Sequence, residues 1–311
     1  MAQLSSIQST KTPSGITTIT INRPHRRNAI DGPTAQKLTA AFLDFEADAS
    51  QKVCVFHGAN GTFCAGFDLH EVAKYEPQAQ SQDGSTASPQ DSANVGDKYT
   101  GPIMSPHNRV QGRNTGPIGP SRMIITKPVI AAVAGHAVAG GLELSLLADI
   151  RVVEEDATFG VFCRRFGVPL IDGGTVRLQA IVGLGRALDM IITGRPVGAT
   201  EALSMGLANR VVPRGAGVEE AMGIARQIVG FPQACLNVDR ASCYYAAFEA
   251  KSFEDALANE FEKGVRVLGD GVNGARRFRD GEGRHGRFDD GGRAGLYVQV
   301  MDSNFQHMAE C

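Results

Sequence analysis

No run of apolar residues in this sequence approaches the ~20 that a membrane span requires, which argues against a membrane partner. Charge of one sign is not in surplus either: 31 lysines and arginines stand against 33 aspartates and glutamates. Nothing global therefore favours nucleic acid or an anionic membrane, and any anion site must be built locally. The six cysteines, Cys54, Cys64, Cys163, Cys235, Cys243 and Cys311, include no CxxC pair and stand in no small secreted scaffold. They read as reduced thiols of an intracellular protein. Neither G-x-x-x-x-G-K-[ST] nor a clean G-x-G-x-x-G after a first strand is present, so a phosphate-binding nucleotide module is disfavoured. The final "MAEC" matches no peroxisomal or ER retention address. A Ser/Thr-rich start without an acid before Asp31 faintly resembles a transit peptide, yet "GITTITI" alternates like a first strand. The expected location is the cytoplasm, with the mitochondrial matrix as the alternative.

The 311 residues are 42% hydrophobic and 21% charged, ordinary globular usage and enough chain for one large domain or two small ones. A strand, a glycine turn and a helix recur four times. "GITTITI" precedes "GPTAQKLTAAFLDFEAD"; "KVCVFHG" leads through "ANGTFCAGFDL" to "HEVAKYE"; "KPVIAAVAG" leads through "HAVAGG" to "LELSLLA"; "DIRVVEEDATFG" leads to "VRLQAIVGLGRALDMIITG". Two segments depart from this rhythm. Residues 76–121 are rich in Pro, Gly, Ser and Gln and read as a mobile loop or insertion; the arginine- and glycine-rich stretch from Ala275 onward reads as a solvated tail. The expected division is a core over 1–205 and a helical region with its tail over 206–311.

One charge interrupts the apolar stretch "AVAGHAVAGGLELSLLADIRVV": Glu143, just after Gly140-Gly141. A buried unpaired carboxylate is costly, so either Glu143 points to water or the site makes use of it. Glycines before a helix leave backbone N–H groups free to meet negative charge, and two such loops occur here, at Gly66 and at Gly140. Two sets of backbone donors aimed at one point make an oxyanion hole.

These segments resemble the crotonase superfamily, the enoyl-CoA hydratase/isomerase family, over nearly the whole chain. "INRPHRRNAID" looks like its N-R-P-x-x-x-N-A segment, "GTFCAGFDL" like its first oxyanion loop, and "KPVIAAVAGHAVAGGLELSLLADIRV" like its second loop and helix. "GLGRALDMIITGRPVGATEALSMGLANRVVP" is similar to the helices that follow. The resemblance implies an α/β crotonase spiral of repeated ββα units with C-terminal helices that trimerise, as a homotrimer or dimer of trimers. It also implies an acyl-CoA substrate, with coenzyme A entering as part of the thioester, no other cofactor and no metal. By motif position Phe67 and Gly140 donate the two oxyanion hydrogen bonds. His25, Arg26, Arg27, Ala65, Gly66, Asp68, Leu69, Gly141 and Cys163 fall among the substrate-binding positions.

Hydratases of the family use two glutamates. Glu143 occupies the first position, but the downstream FG-x-P-E segment reads "FGVFC", which places Cys163 where the second glutamate stands. A thiol delivers protons poorly at neutral pH. Asp172, before Gly173-Gly174, is the substitute acid; it is equally placed to cap the following helix. Arg164 and Arg165 could pair with a carboxylate or serve a carboxylated acyl group. The reading is an acyl-CoA-processing enzyme with Glu143 and Asp172 as its proton-handling groups. Hydration is the default activity, with isomerisation, hydrolysis or decarboxylation as rivals and a catalytically weak acyl-CoA-binding protein as the non-enzyme alternative.

Overall fold

The computed structural model describes residues 5–73 and 112–281. The chain divides into two compact units, Met1–Ala221 and Met222–Cys311. Most of the segment read as a mobile loop, 76–111, lies outside the described residues, as does the tail beyond Gly281.

In the first unit, β1 (Ile7–Lys11) pairs antiparallel with β2 (Ile16–Ile21). Parallel strands β3 (Val53–Gly58) and β4 (Val129–Val133) follow in the same sheet. Strands β6 (Ile150–Glu154) and β9 (Arg210–Val212) complete six strands in the order β1-β2-β3-β4-β6-β9. A parallel sheet covered on both faces needs apolar residues at every position, and "VIAAV" of β4 is buried throughout. A second sheet joins β5 (His136–Val138), β7 (Thr158–Gly160) and the two-residue β8 (Val197–Gly198).

Helix α1 (Gly32–Ala47) begins where Asp31 accepts a hydrogen bond from the Thr34 N–H at 2.9 Å, with Pro33 in its first turn. Its apolar face, Leu38, Phe42 and Phe45, is fully buried, and Phe42 meets Phe56 of β3 edge to face at 5.3 Å. Lys127, just ahead of β4, donates to the carbonyls of Phe45, Asp48 and Gln51 at 2.9, 2.7 and 2.9 Å and so ties the end of α1 to the sheet. Lys127→Met strands three carbonyls; thermal unfolding should show a loss of ~1–3 kcal/mol, with activity kept at a temperature where the variant is folded.

A short α2 (Leu69–Val72) is capped by Asp68, and α3 (Gly140–Ser145) follows β5. The stretch "VRLQAIVGLGRALDMIITG" is two helices rather than one, α4 (Gly174–Val182) and α5 (Leu184–Thr193). Gly183, at φ +84°, breaks them apart in a conformation that L-residues rarely adopt. Helix α6 (Ala199–Ser204) leads towards β9 as the glycine stop after it suggests, and α7 (Gly217–Val229) runs across the boundary between the units.

The second unit holds α8 (Gln233–Phe248), α9 (Phe253–Val265) and α10 (Leu268–Arg279). Ser252 caps α9 through the Asp255 N–H, and Tyr245 donates its hydroxyl to Asp255 at 2.9 Å. The start of the arginine-rich stretch read as a tail, Ala275–Arg279, is the last part of α10.

Candidate active site

Two loops meet ahead of α3. Ile30 forms a parallel bridge with Phe67: its N–H donates to Gly66 O, and its carbonyl accepts from the Asp68 N–H, both at 2.8 Å. A residue bridged this way turns its own N–H to the opposite side. The Phe67 amide therefore owes its freedom to this bridge, and not to a helix start, since α2 begins only at Leu69. On the second loop, Ala139 precedes α3 at φ 53°, ψ −124°, and turns the Gly140 N–H out of the ladder. Neither amide donates a hydrogen bond among the described residues. The two loops touch: a Cβ on Gly66, at φ +98°, would lie 3.0 Å from Gly140 N, and one on Gly140 would lie 3.4 Å from Phe67 N. Gly141 is a packing glycine, because a Cβ there would collide with the Cys64 carbonyl.

A cavity of about 520 Å³ opens beside these amides. Its walls are largely apolar, with Ile118, Phe162, Phe166, Val168 and Ile171 prominent, and its polar groups converge from Glu143, Asp172 and the thiol Cys163. Glu143 is 3% exposed. Its Oε1 accepts from the N–H groups of Asp172 and Gly174, each at 2.9 Å. Burial, with the Asp172 charge adding to it, pushes the Glu143 carboxyl up to about 8 in spite of those donors.

Asp172 does not cap α4; Gly173 occupies that place. Its Oδ1 instead accepts from the Ser121 hydroxyl at 2.6 Å and the Ile118 N–H at 3.3 Å. Burial raises this carboxyl above its ordinary range, while the two donors and the Arg122 charge oppose the rise. Cys163 is buried, and burial followed by the Glu143 charge pushes its thiol up. Among the described residues no histidine lines the cavity to deprotonate it, which disfavours a nucleophilic thiolate.

The cavity thus gathers Ala65, Phe67, Leu69, Gly140, Glu143, Cys163 and Asp172 from the residues singled out in the sequence. Gly66 and Gly141 are not among its lining residues; each lies where a Cβ would run into the neighbouring loop. Asp68 is buried away from it, capping α2 and paired with Arg23 at 3.3 Å. His25, Arg26 and Arg27 are exposed; His25 lines a separate cavity of about 500 Å³ with Lys37, and Arg26 reaches His70 at 3.4 Å. Arg164 donates to Ile191 O at 3.0 Å and Arg165 stacks on Phe162 at 5.5 Å; neither lines the main cavity. The cation whose charge reaches both carboxyls is Arg122, which sequence reasoning passed over along with Ile118 and Ser121. Their one visible signal was the paired Gly-Pro of "GPIGPSR".

The alternation of parallel strands and helices around this cavity is the crotonase spiral, with helices at the C-terminal end. The family model described as enoyl-CoA hydratase/isomerase matches residues 11–95 and 122–272. An enoyl-CoA hydratase of Mycobacterium tuberculosis is 33% identical over 210 residues, 68% of this chain and 70% of the relative. A carnitinyl-CoA dehydratase of Escherichia coli K12 is 33% identical over 213 residues, 68% of this chain and 70% of that protein. The crystal structure of an enoyl-CoA hydratase from Mycobacterium tuberculosis superposes with a TM-score of 0.72 at 26% identity, covering 88% of this chain and 96% of that one. The chain belongs to the enoyl-CoA hydratase/isomerase family and is an enzyme of it.

Proposed function

We propose that the chain hydrates an enoyl-CoA thioester, with Glu143 and Asp172 as its acid and base. The observation that carries this reading is the convergence of two free amides and two buried carboxyls on one cavity. Burial and the Asp172 charge both disfavour the Glu143 anion, so a proton is retained at this site near neutral pH. Glu143 keeps it, since its carboxyl is pushed to about 8, whereas Asp172 has a hydroxyl and an amide stabilising its anion. One acid and one base are what addition of water requires.

Asp172 takes a proton from water as the water oxygen bonds to Cβ. The electron pair of the Cα–Cβ double bond moves onto the thioester oxygen, where the N–H groups of Phe67 and Gly140 stabilise the enolate. Glu143 then gives its proton to Cα, and proton transfer between the two carboxyls restores the starting state. The segments His25–Asn28 and Ala65–Leu69 hold the adenine and pantetheine parts of coenzyme A. Leu184, Leu188 and Ile192 form an exposed apolar stripe on α5, which fits assembly into a homotrimer or dimer of trimers.

Incubation with crotonyl-CoA should bleach the absorbance of the conjugated thioester and yield a product heavier by one water. Asp172→Asn should lower this rate ~10²–10⁴-fold. Full activity in that variant would remove Asp172 from the mechanism, and a product of unchanged mass would point to isomerisation instead.

A further inference from the structure

The segment Gly116–Met123, which reads in sequence as the end of a loop, is a cradle built around one carboxylate. Gly116 and Gly119 exchange backbone hydrogen bonds at 2.7 and 2.9 Å and close a tight turn across Pro117 and Ile118. The Asp172 carboxylate sits against Gly116 where a Cβ would be, so only glycine leaves it room. Ile118 N–H and Ser121 Oγ–H both point at Asp172 Oδ1, and Ser121 is wholly buried. Two arginines fasten the cradle from either side. Arg177 of α4 donates to the carbonyls of Ser121 and Met123, the latter at 2.7 Å, and Arg122 donates from Nε to Ile171 O at 2.7 Å and from Nη1 to Thr115 O at 3.4 Å. Glu143, on α3, completes the charged groups around Asp172, accepting the Asp172 N–H.

This arrangement exceeds what packing needs. A buried serine hydroxyl is satisfied by any nearby backbone carbonyl, whereas here it is held at 2.6 Å on a carboxylate 51 residues away. We propose that Ser121 is a positioning residue for catalysis: with the Ile118 amide it fixes Oδ1 of Asp172, so that Oδ2 is the oxygen presented to the reacting water. The inference rests on the assignment of Asp172 as the base. It also explains how an aspartate, one methylene shorter than the glutamate it replaces in role, is kept from rotating away from the cavity.

The test compares wild type, Ser121→Ala, Ser121→Cys, Asp172→Asn and the Ser121→Ala/Asp172→Asn double variant on crotonyl-CoA across a pH series. Ser121→Ala should lower kcat about 10–100-fold with KM little changed. Losing a donor to the anion raises the pKa of Asp172, and a base acts only when ionised. The rising acidic limb of kcat/KM should therefore move to higher pH by about half a unit or more. Ser121→Cys, close in size and a weaker donor, should fall between, and it carries the test if the alanine variant does not fold. In the Asp172→Asn background the Ser121 change should cost less than about twofold more. A dead Asp172→Asn beside Ser121 variants with wild-type kcat and pH profile would overturn the positioning role alone, as would independent, multiplying losses in the double variant. A fully active Asp172→Asn would overturn it together with the assignment of the base.

Discussion

Glu143→Gln should turn over crotonyl-CoA ~10²–10⁴-fold more slowly than wild type and yet be the more stable protein at pH 9. The activity loss follows from the proposed role of Glu143 as the proton donor to Cα. Stability follows from the same burial. In the folded chain the Glu143 carboxyl is raised from 4.5 to about 8, so the folded state binds its proton more tightly than the unfolded state does. Its contribution is intact below about pH 4.5 and is lost as pH rises through about 8, by as much as ~5 kcal/mol. Glutamine keeps a carbonyl oxygen for the Asp172 and Gly174 amides and carries no charge to bury. Thermal unfolding of the two proteins should nearly coincide at pH 4.5 and separate at pH 9, with the variant higher by several degrees. A variant that unfolds earlier than wild type at pH 9 would contradict the buried, proton-holding role.

Gly66→Ala should be nearly as damaging to catalysis, by a different route. The backbone at φ +98° is strained for any L-residue, at a cost of ~1–3 kcal/mol. The new methyl would also stand 3.0 Å from Gly140 N and 3.1 Å from Val138 O, between the two loops that carry the free amides. Relief of that contact spreads the loops and takes the Phe67 and Gly140 donors off a common point. A loss of ~10²–10³ in kcat, the scale of one missing oxyanion donor, should accompany a drop in melting temperature of a few degrees. Stopped-flow kinetics on the folded variant would check it; kcat within a factor of three of wild type would mean that the amides do not act together.

Much of this was legible residue by residue. The helical stretch "GPTAQKLTAAFLDFEAD" announced α1, the β-branched alternation of "GITTITI" announced β2, and Gly140-Gly141 before Glu143 announced a carboxylate held one turn from a free amide. The cradle of Asp172 was not legible, because Ser121 and Ile118 find their acceptor 51 and 54 residues further along and nothing local records the pairing. Aspartate before Gly-Gly and a helix carries the local signature of a cap; the tertiary partners took its side chain, and Gly173 was left to start α4. Helix α8 gave no stripe to read, since Ser242 is its one buried residue. At Gly183 a continuous helical pattern concealed a break that only the positive φ reveals.

The central claim is that the coupled carboxyls, Glu143 and Asp172, add water across a thioester-conjugated double bond. The most direct measurement is the mass of the product formed from crotonyl-CoA by the wild-type enzyme in water labelled with heavy oxygen, repeated in deuterium oxide. The account predicts a 3-hydroxyacyl-CoA that carries the heavy oxygen on Cβ and, in the second solvent, one deuterium on Cα. A shifted double bond without oxygen uptake, or free coenzyme A with the label in a released carboxylate, would contradict it.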